Sequence, residues 1–255
     1  MGPAAAENTN SQSLSEPARL RSNALLILGL VFACSFLVYR VFAPHLALRG
    51  GAIAFALCML ASLFVIAFRG LPHHHHPVFG LANLITAVRA SITCLVTAAI
   101  LFNHGLATNA TAIWTLIGLV SIALLLDGVD GYIARAAERV SPFGARFDME
   151  VDALLILVLC LGAVMMGKVG WWILAIGLMR YGFVFAQTFL PELGGQLPPS
   201  FRRKLICVIQ GGVLCFILVP VVSPAFSSVL CFVALLLLTY SFAVDTHDLL
   251  TREKR

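Results

Sequence analysis

Charge is scarce in this chain. Of its 255 residues only 11% are Asp, Glu, Lys or Arg, against roughly a quarter in an ordinary soluble domain. Together with a hydrophobic content of 60%, this excludes a water-soluble globular domain and indicates an all-α, polytopic membrane protein. Cys-x-x-Cys spacing is missing. The seven cysteines (Cys34, Cys58, Cys94, Cys160, Cys207, Cys215, Cys231) are scattered through apolar runs, so they read as small buried hydrophobes rather than a zinc site or disulfide framework. No internal repeat is evident, which argues against a repeat array. Acidic residues are the rarest charge, 12 against 17 Lys and Arg for a formal net charge of +5.

Long apolar runs are what the chain does have. Segments near 24–43, 51–68, 83–103, 111–136, 144–166, 170–188, 205–222 and 228–244 approach the roughly 20 residues needed to cross a bilayer, giving about eight transmembrane helices. The basic excess reads as topology rather than nucleic-acid affinity. Arg19, Arg21, Arg69, Arg139, Arg202, Arg203, Lys204, Arg252, Lys254 and Arg255 fall on one side of such an arrangement, while Arg49 and Lys168 fall on the other. The positive-inside rule then places both termini in the cytoplasm, with the turn between the fourth and fifth spans on the same side. Residues 1–23 are polar and small and read as a disordered cytoplasmic tail, and residues 246–255 as a basic cytoplasmic tail. The first apolar run is followed by Tyr39-Arg40 rather than a small-residue cleavage site, so it is read as a retained helix and not a signal peptide.

The few acids are concentrated: half of them lie between Asp127 and Asp152. The stretch reads Asp127-Gly-Val-Asp130-Gly131-Tyr-Ile-Ala134-Arg135, then eight residues to Gly144, three to Asp148 and three more to Asp152. On helices, Asp127, Asp130, Gly131 and Ala134 share one stripe, and Gly144, Asp148 and Asp152 share another. Two such helices joined by a turn at Ser141-Pro142 would bring four carboxylates face to face. Ionised carboxylates are costly at membrane depth unless paired, metal-bound or open to water, so the group is a candidate functional site. Structural pairing with Arg135, Arg139 and Arg146 is the plainer alternative.

The spacing resembles the signature of the CDP-alcohol phosphotransferase (CDP-alcohol phosphatidyltransferase) family, Asp-x2-Asp-Gly-x2-Ala-Arg-x8-Gly-x3-Asp-x3-Asp, at every fixed position. The resemblance covers about residues 80–245, a six-helix catalytic core, and leaves residues 24–70 as an extra two-helix hairpin. It implies an integral-membrane enzyme of phospholipid synthesis. Such an enzyme moves a substituted phosphate from CDP-diacylglycerol to a polar alcohol and releases CMP, with the membrane lipid as the medium and no nucleic-acid partner. By the same resemblance Asp127, Asp130, Asp148 and Asp152 would hold Mg²⁺ or Mn²⁺, two ions being expected, and Asp152 would also act as general base. Gly131, Ala134, Arg135 and Gly144 would bind the CDP moiety, and the resemblance leaves room for a homodimer. A CDP-aminoalcohol donor with diacylglycerol as acceptor uses the same signature. A cation transporter lined by the aspartates is the alternative from another class, but it does not explain why Gly131, Ala134, Arg135 and Gly144 fall in register.

Other polar residues carry weaker signals. Asn83, Thr86 and Arg89 resemble the Asn-x-x-Thr-x-x-Arg start of the family's first core helix, which lies beside the nucleotide. An N-cap followed by an interfacial Arg reads nearly as well. Arg180 reads as the only basic residue well inside a span, with an acceptor phosphate or a site carboxylate as its partner. Arg202, Arg203 and Lys204 suit donor or acceptor phosphates, or a cytoplasmic anchor. These three residues and Arg180 favour a phosphorylated acceptor such as glycerol 3-phosphate or an inositol phosphate. Against the former, Ile206 and Cys207 replace the second Lys and the Thr of the Lys-x-Lys-Thr pattern in phosphatidylglycerophosphate synthases. His73, His74, His75 and His76 are adjacent in a Pro-flanked loop and cannot all face one ion, so they read as a solvated loop. Glu150 lies on the helix face opposite Asp148 and Asp152 and is left out of the site.

Overall fold

In lipid every backbone N–H and C=O needs an internal partner, so apolar runs of this length fold as helices. A computed structural model describes residues 4–71, 79–136, 142–190, 194–195 and 200–252, with side chains described except at 4–19, 129–136, 142 and 252. Among the described residues the chain forms eight α-helices and no strand: α1 (Ala4–Phe42), α2 (Gly50–Gly70), α3 (Leu81–Phe102), α4 (Ala110–Ala136), α5 (Pro142–Met165), α6 (Leu174–Phe189), α7 (Phe201–Ile217) and α8 (Pro224–Arg252). Helix α1 starts at Ala4, within the polar stretch that composition suggested was a structureless tail. Helix α8 likewise continues to Arg252, beyond the end of its apolar run.

Among the described residues six segments are long and apolar enough to cross a membrane: Leu20–Phe42, Gly50–Gly70, Leu81–Phe102, Ala110–Gly128, Trp171–Phe189, which joins the 3-10 turn Trp171–Ile173 to α6, and Pro224–Thr251. The chain is an integral membrane protein with a polytopic helical architecture. Helix α5 differs because it carries Arg146, Asp148, Glu150 and Asp152, and α7 because it is 17 residues long and opens with Arg202, Arg203 and Lys204.

The described chain divides into two units, residues 1–102 with 125–151, and residues 103–124 with 152–255. In the first unit, α1 buries the stripe Leu20, Ala24, Leu28, Val31, Ser35 and Tyr39, while Leu25, Leu26, Leu30 and Leu37 are exposed. Helix α2 buries Ala52, Ile53, Ala56, Leu60, Phe64 and Ala67, also one stripe at helical spacing. Large aliphatic side chains on the outward faces suit lipid and not water. Helix α3 is different: 72% of its span is buried, and the buried residues include Asn83, Thr86, Arg89, Ser91, Thr93 and Thr97. Thr93 and Thr97 satisfy their hydroxyls on the carbonyls of Arg89 and Thr93, at 2.9 and 2.7 Å.

The α1–α2 hairpin is fastened to α3 by polar contacts as well as packing. Tyr39 Oη donates to the Ser91 carbonyl at 2.7 Å, and the hydroxyls of Ser35 and Ser91 lie 2.7 Å apart. Asn23 Oδ1 accepts from the Phe79 N–H at 3.2 Å, just before α3 begins. Tyr39→Phe keeps the ring and leaves the Ser91 carbonyl without this donor. We expect it to cost about 1 kcal/mol of stability, read as a lowered melting temperature in detergent.

In the second unit the helices meet through small residues and a few buried polar groups. The backbone of α6 at Gly177 comes so close to α5 that a Cβ there would sit 2.6 Å from the Cα of Leu157, which only glycine permits. Gln210 of α7 is fully buried and donates through Nε2 to the Ala234 carbonyl of α8 at 2.6 Å. Asn109 caps α4, its Oδ1 accepting from the Ala112 N–H at 3.1 Å. Lys168, in the turn after α5, donates to the carbonyls of Val219, Pro220 and Val222 at 3.0, 3.3 and 2.7 Å. These carbonyls follow the end of α7. Burial pulls the ammonium's pKa below the ordinary lysine value, and the three acceptors are what make a charge tolerable there.

Candidate active site

Helices α4 and α5 carry the acidic stretch, so the aspartates are held on helical backbone. Asp127 is on α4 and Asp148 on α5, both in the first unit. Their side chains are 29% and 35% exposed, open enough for a ligand to reach. The two carboxylates meet at a single nitrogen of Arg89 on α3: Nη1 lies 3.1 Å from Asp127 Oδ1 and is hydrogen-bonded to Asp148 Oδ1. Arg89 is only 1% exposed. Oxygens of Asp127 and Asp148 come within 4.8 Å of one another, and Asp152 follows one turn beyond Asp148 on the continuous helix α5.

Carboxylates this close are electrostatically expensive. At an effective dielectric near 20, two unit charges 4.8 Å apart repel by about 3–4 kcal/mol. The Arg89 guanidinium offsets part of that. Partly buried carboxylate oxygens are the donor set that hard divalent cations such as Mg²⁺ prefer, so the residues present fit a metal site.

The other sequence-derived candidates are placed as follows. Asp130, Gly131, Ala134 and Arg135 are in α4, where the backbone is helical and the side chains lie outside the described residues. Gly144 is in the first turn of α5, partly buried. Asn83 and Thr86 are buried on α3, where Asn83 Nδ2 donates to the Phe79 carbonyl and Thr86 Oγ1 to the Ala82 carbonyl, the latter at 3.1 Å. Glu150 and Arg146 are exposed. His73 to His76 and Arg139 lie outside the described residues.

In the second unit, Arg180 is partly buried on α6 and Lys204 is exposed on α7. Arg202 and Arg203 both reach Asp245 of α8, at 2.5 and 3.4 Å to Oδ1, and Arg202 also lies over the Tyr240 ring, 5.9 Å from its centroid. Asp245 is buried, 7% exposed.

Two residues were missed by sequence reasoning. In sequence Arg89 stands out only as the end of Asn83-x-x-Thr86-x-x-Arg89, and Arg180 reads as the only basic residue well inside a span. Arg89 is in fact the more deeply buried of the two. Its signal was available: an Arg inside an apolar helix requires an anionic partner, and the chain's acids are concentrated in one place. Asp245 gave no sequence signal beyond its position in the last apolar helix.

Residues 79–244 match the family model described as CDP-alcohol phosphatidyltransferase. The match begins just before α3 and takes in the acidic stretch, but leaves out α1 and α2. No curated protein and no solved structure was found to match the chain.

Proposed function

The chain belongs to the CDP-alcohol phosphatidyltransferase family, and from that premise we propose that it transfers the phosphatidyl group of CDP-diacylglycerol to a polar, phosphorylated alcohol and releases CMP. The single observation that carries the site assignment is the convergence of Asp127 and Asp148 on Arg89 Nη1, with Asp152 one turn further along α5. Membership and the apolar helices together make the protein a membrane-embedded transferase acting on a CDP-alcohol. The transporter alternative accounts for the aspartates and not for the match.

In the proposed mechanism Asp127, Asp130, Asp148 and Asp152 would hold divalent metal, two ions being expected, which would supply charge neutralisation at the pyrophosphate oxygens and the CMP leaving group. Asp152 accepts the proton of the acceptor hydroxyl. The hydroxyl oxygen then bonds to the phosphatidyl phosphorus, and the bond from that phosphorus to the bridging oxygen breaks, its electron pair leaving with CMP. Gly131 and Ala134 keep the α4 stripe low enough for the cytidine nucleotide to approach, Gly144 does the same at the start of α5, and Arg135 contacts the donor's phosphates. Asn83 and Thr86 line the nucleotide side from α3. By the positive-inside rule the site opens to the cytoplasm, where nucleotide-linked donors are available.

For the acceptor, Arg180 is the leading cation. Arg202 and Arg203 are engaged with Asp245, and Lys204 is exposed beside them in the first turn of α7. A dianionic acceptor gains charge-assisted hydrogen bonds from such groups. Purified protein given CDP-diacylglycerol and a panel of acceptors, with products identified by mass, should make lipid from glycerol 3-phosphate or an inositol phosphate. Arg180→Ala should raise the KM for that acceptor by about tenfold or more, the scale of one charge-assisted hydrogen bond, with little change in the donor KM. Turnover confined to serine, free inositol or choline would reject the phosphorylated acceptor. Turnover of CDP-choline or CDP-ethanolamine with diacylglycerol would reject the donor.

A further inference from the structure

We propose that Arg89 is a resident counter-cation of the acidic site, a positioning residue that holds Asp127 and Asp148 together until a divalent ion competes for the same oxygens. The inference rests on the metal-dependent reading above and extends it to a residue on a different helix. Three observations carry it. Arg89 is almost completely buried, so its charge has no water to retreat to and must be matched inside the protein. One nitrogen, Nη1, contacts Oδ1 of both Asp127 and Asp148, so the guanidinium occupies the gap between α4 and α5 rather than pairing at its edge. The oxygens of these two aspartates also lie closely enough to share an ion.

Helix α3 cannot simply move away to make room. Arg89 and Ser91 are two residues apart and so project from nearly opposite faces of the helix. The Ser91 face is tied to α1 through Tyr39 and Ser35. When a second cation arrives, adjustment falls on the Arg89 side chain and on its share of the carboxylate charge. A fixed positive charge in the site thus does two things. It makes clustered aspartates tolerable in the metal-free protein, and it weakens metal binding enough for the ion to be exchangeable. An ion pair serving stability alone would do only the first.

The test uses the full chain in detergent or nanodiscs, with Mn²⁺ as the probe, its binding titrated by electron paramagnetic resonance and unfolding followed with and without excess chelator. Arg89→Gln should bind Mn²⁺ about tenfold or more tightly than the parent, since an adjacent cation shifts a carboxylate's affinity for a proton by a similar factor. The same variant should melt well below the parent in chelator and recover most of the difference in saturating Mn²⁺. Unchanged affinity with an equal loss of melting temperature in both conditions would overturn the proposal and leave Arg89 a structural ion pair. If Arg89→Gln cannot be obtained folded, Arg89→Lys decides. A lysine contacts as a point charge without the fork, so a metal-dependent gain in melting temperature larger than the parent's supports the proposal, and an equal gain overturns it. Mn²⁺ binding by the parent with no change in either variant removes this inference alone. No Mn²⁺ binding by parent or variants removes both it and the metal-dependent mechanism.

Discussion

Asp127→Asn and Asp148→Asn are each expected to reduce phosphatidyl transfer by about 10²–10³-fold or more, the scale on which loss of one preorganised electrostatic contact acts, while the protein still folds into the membrane. The substitution is nearly isosteric, so packing is preserved and the loss is one of charge and metal ligation. Folding survives because each single change leaves Arg89 the other carboxylate, Asp148 in one variant and Asp127 in the other. The double variant strips both from a guanidinium that is 1% exposed. It should therefore lose stability as well, by about 3 kcal/mol, the lower end of the range for breaking a buried pair, because the carboxylates are about a third exposed. The difference between single and double variants can be read from detergent-solubilised yield and melting temperature measured beside turnover. Near-normal turnover in either single variant would remove that aspartate from the site.

Asp152→Asn is expected to act on a different quantity. If this residue takes the acceptor's proton, the amide should lower kcat by at least about two orders of magnitude, the usual scale of general-base catalysis, while CDP-diacylglycerol still binds with measurable affinity. The position supports a separate role, since Asp152 sits one turn further along α5 than the residue that pairs with Arg89. Donor affinity measured by titration and kcat measured with saturating acceptor separate the two effects. Loss of donor binding with a normal kcat in the fraction that binds would assign Asp152 to the nucleotide instead.

The acidic stretch was legible because its information is local. Positions 127, 130, 131 and 134, and 144, 148 and 152, are set by helical repeat alone, and the structure puts each set on one helix, α4 and α5. The helices themselves were legible because apolar runs in lipid have few alternatives. What escaped was pairing across long sequence separations. Arg89 reads in sequence as an interfacial charge near the start of a span, whereas its 1% exposure and its contact with Asp148, 59 residues away, show it to be interior. Asp245 escaped for a related reason. The apolar run there ends near residue 244, yet α8 continues to Arg252 and places Asp245 against the first turn of α7, where it meets Arg202 and Arg203. Two residues read as candidates for substrate phosphate are therefore partly committed to a charge within the protein. Helix ends were also misjudged where proline intervened: α7 stops at Ile217, shortly before Pro220, rather than running on to residue 222.

The central claim is that the aspartates of α4 and α5 run metal-dependent transfer from a CDP-linked lipid. It is tested most directly by CMP release from CDP-diacylglycerol by the purified protein, with acceptor present, in Mg²⁺ and in excess chelator. The account predicts CMP formed in equal amount to a new phospholipid in Mg²⁺, and no CMP above background in chelator or with Asp148→Asn. CMP release at full rate in chelator, or none in Mg²⁺ from folded protein across the whole acceptor panel, would contradict it.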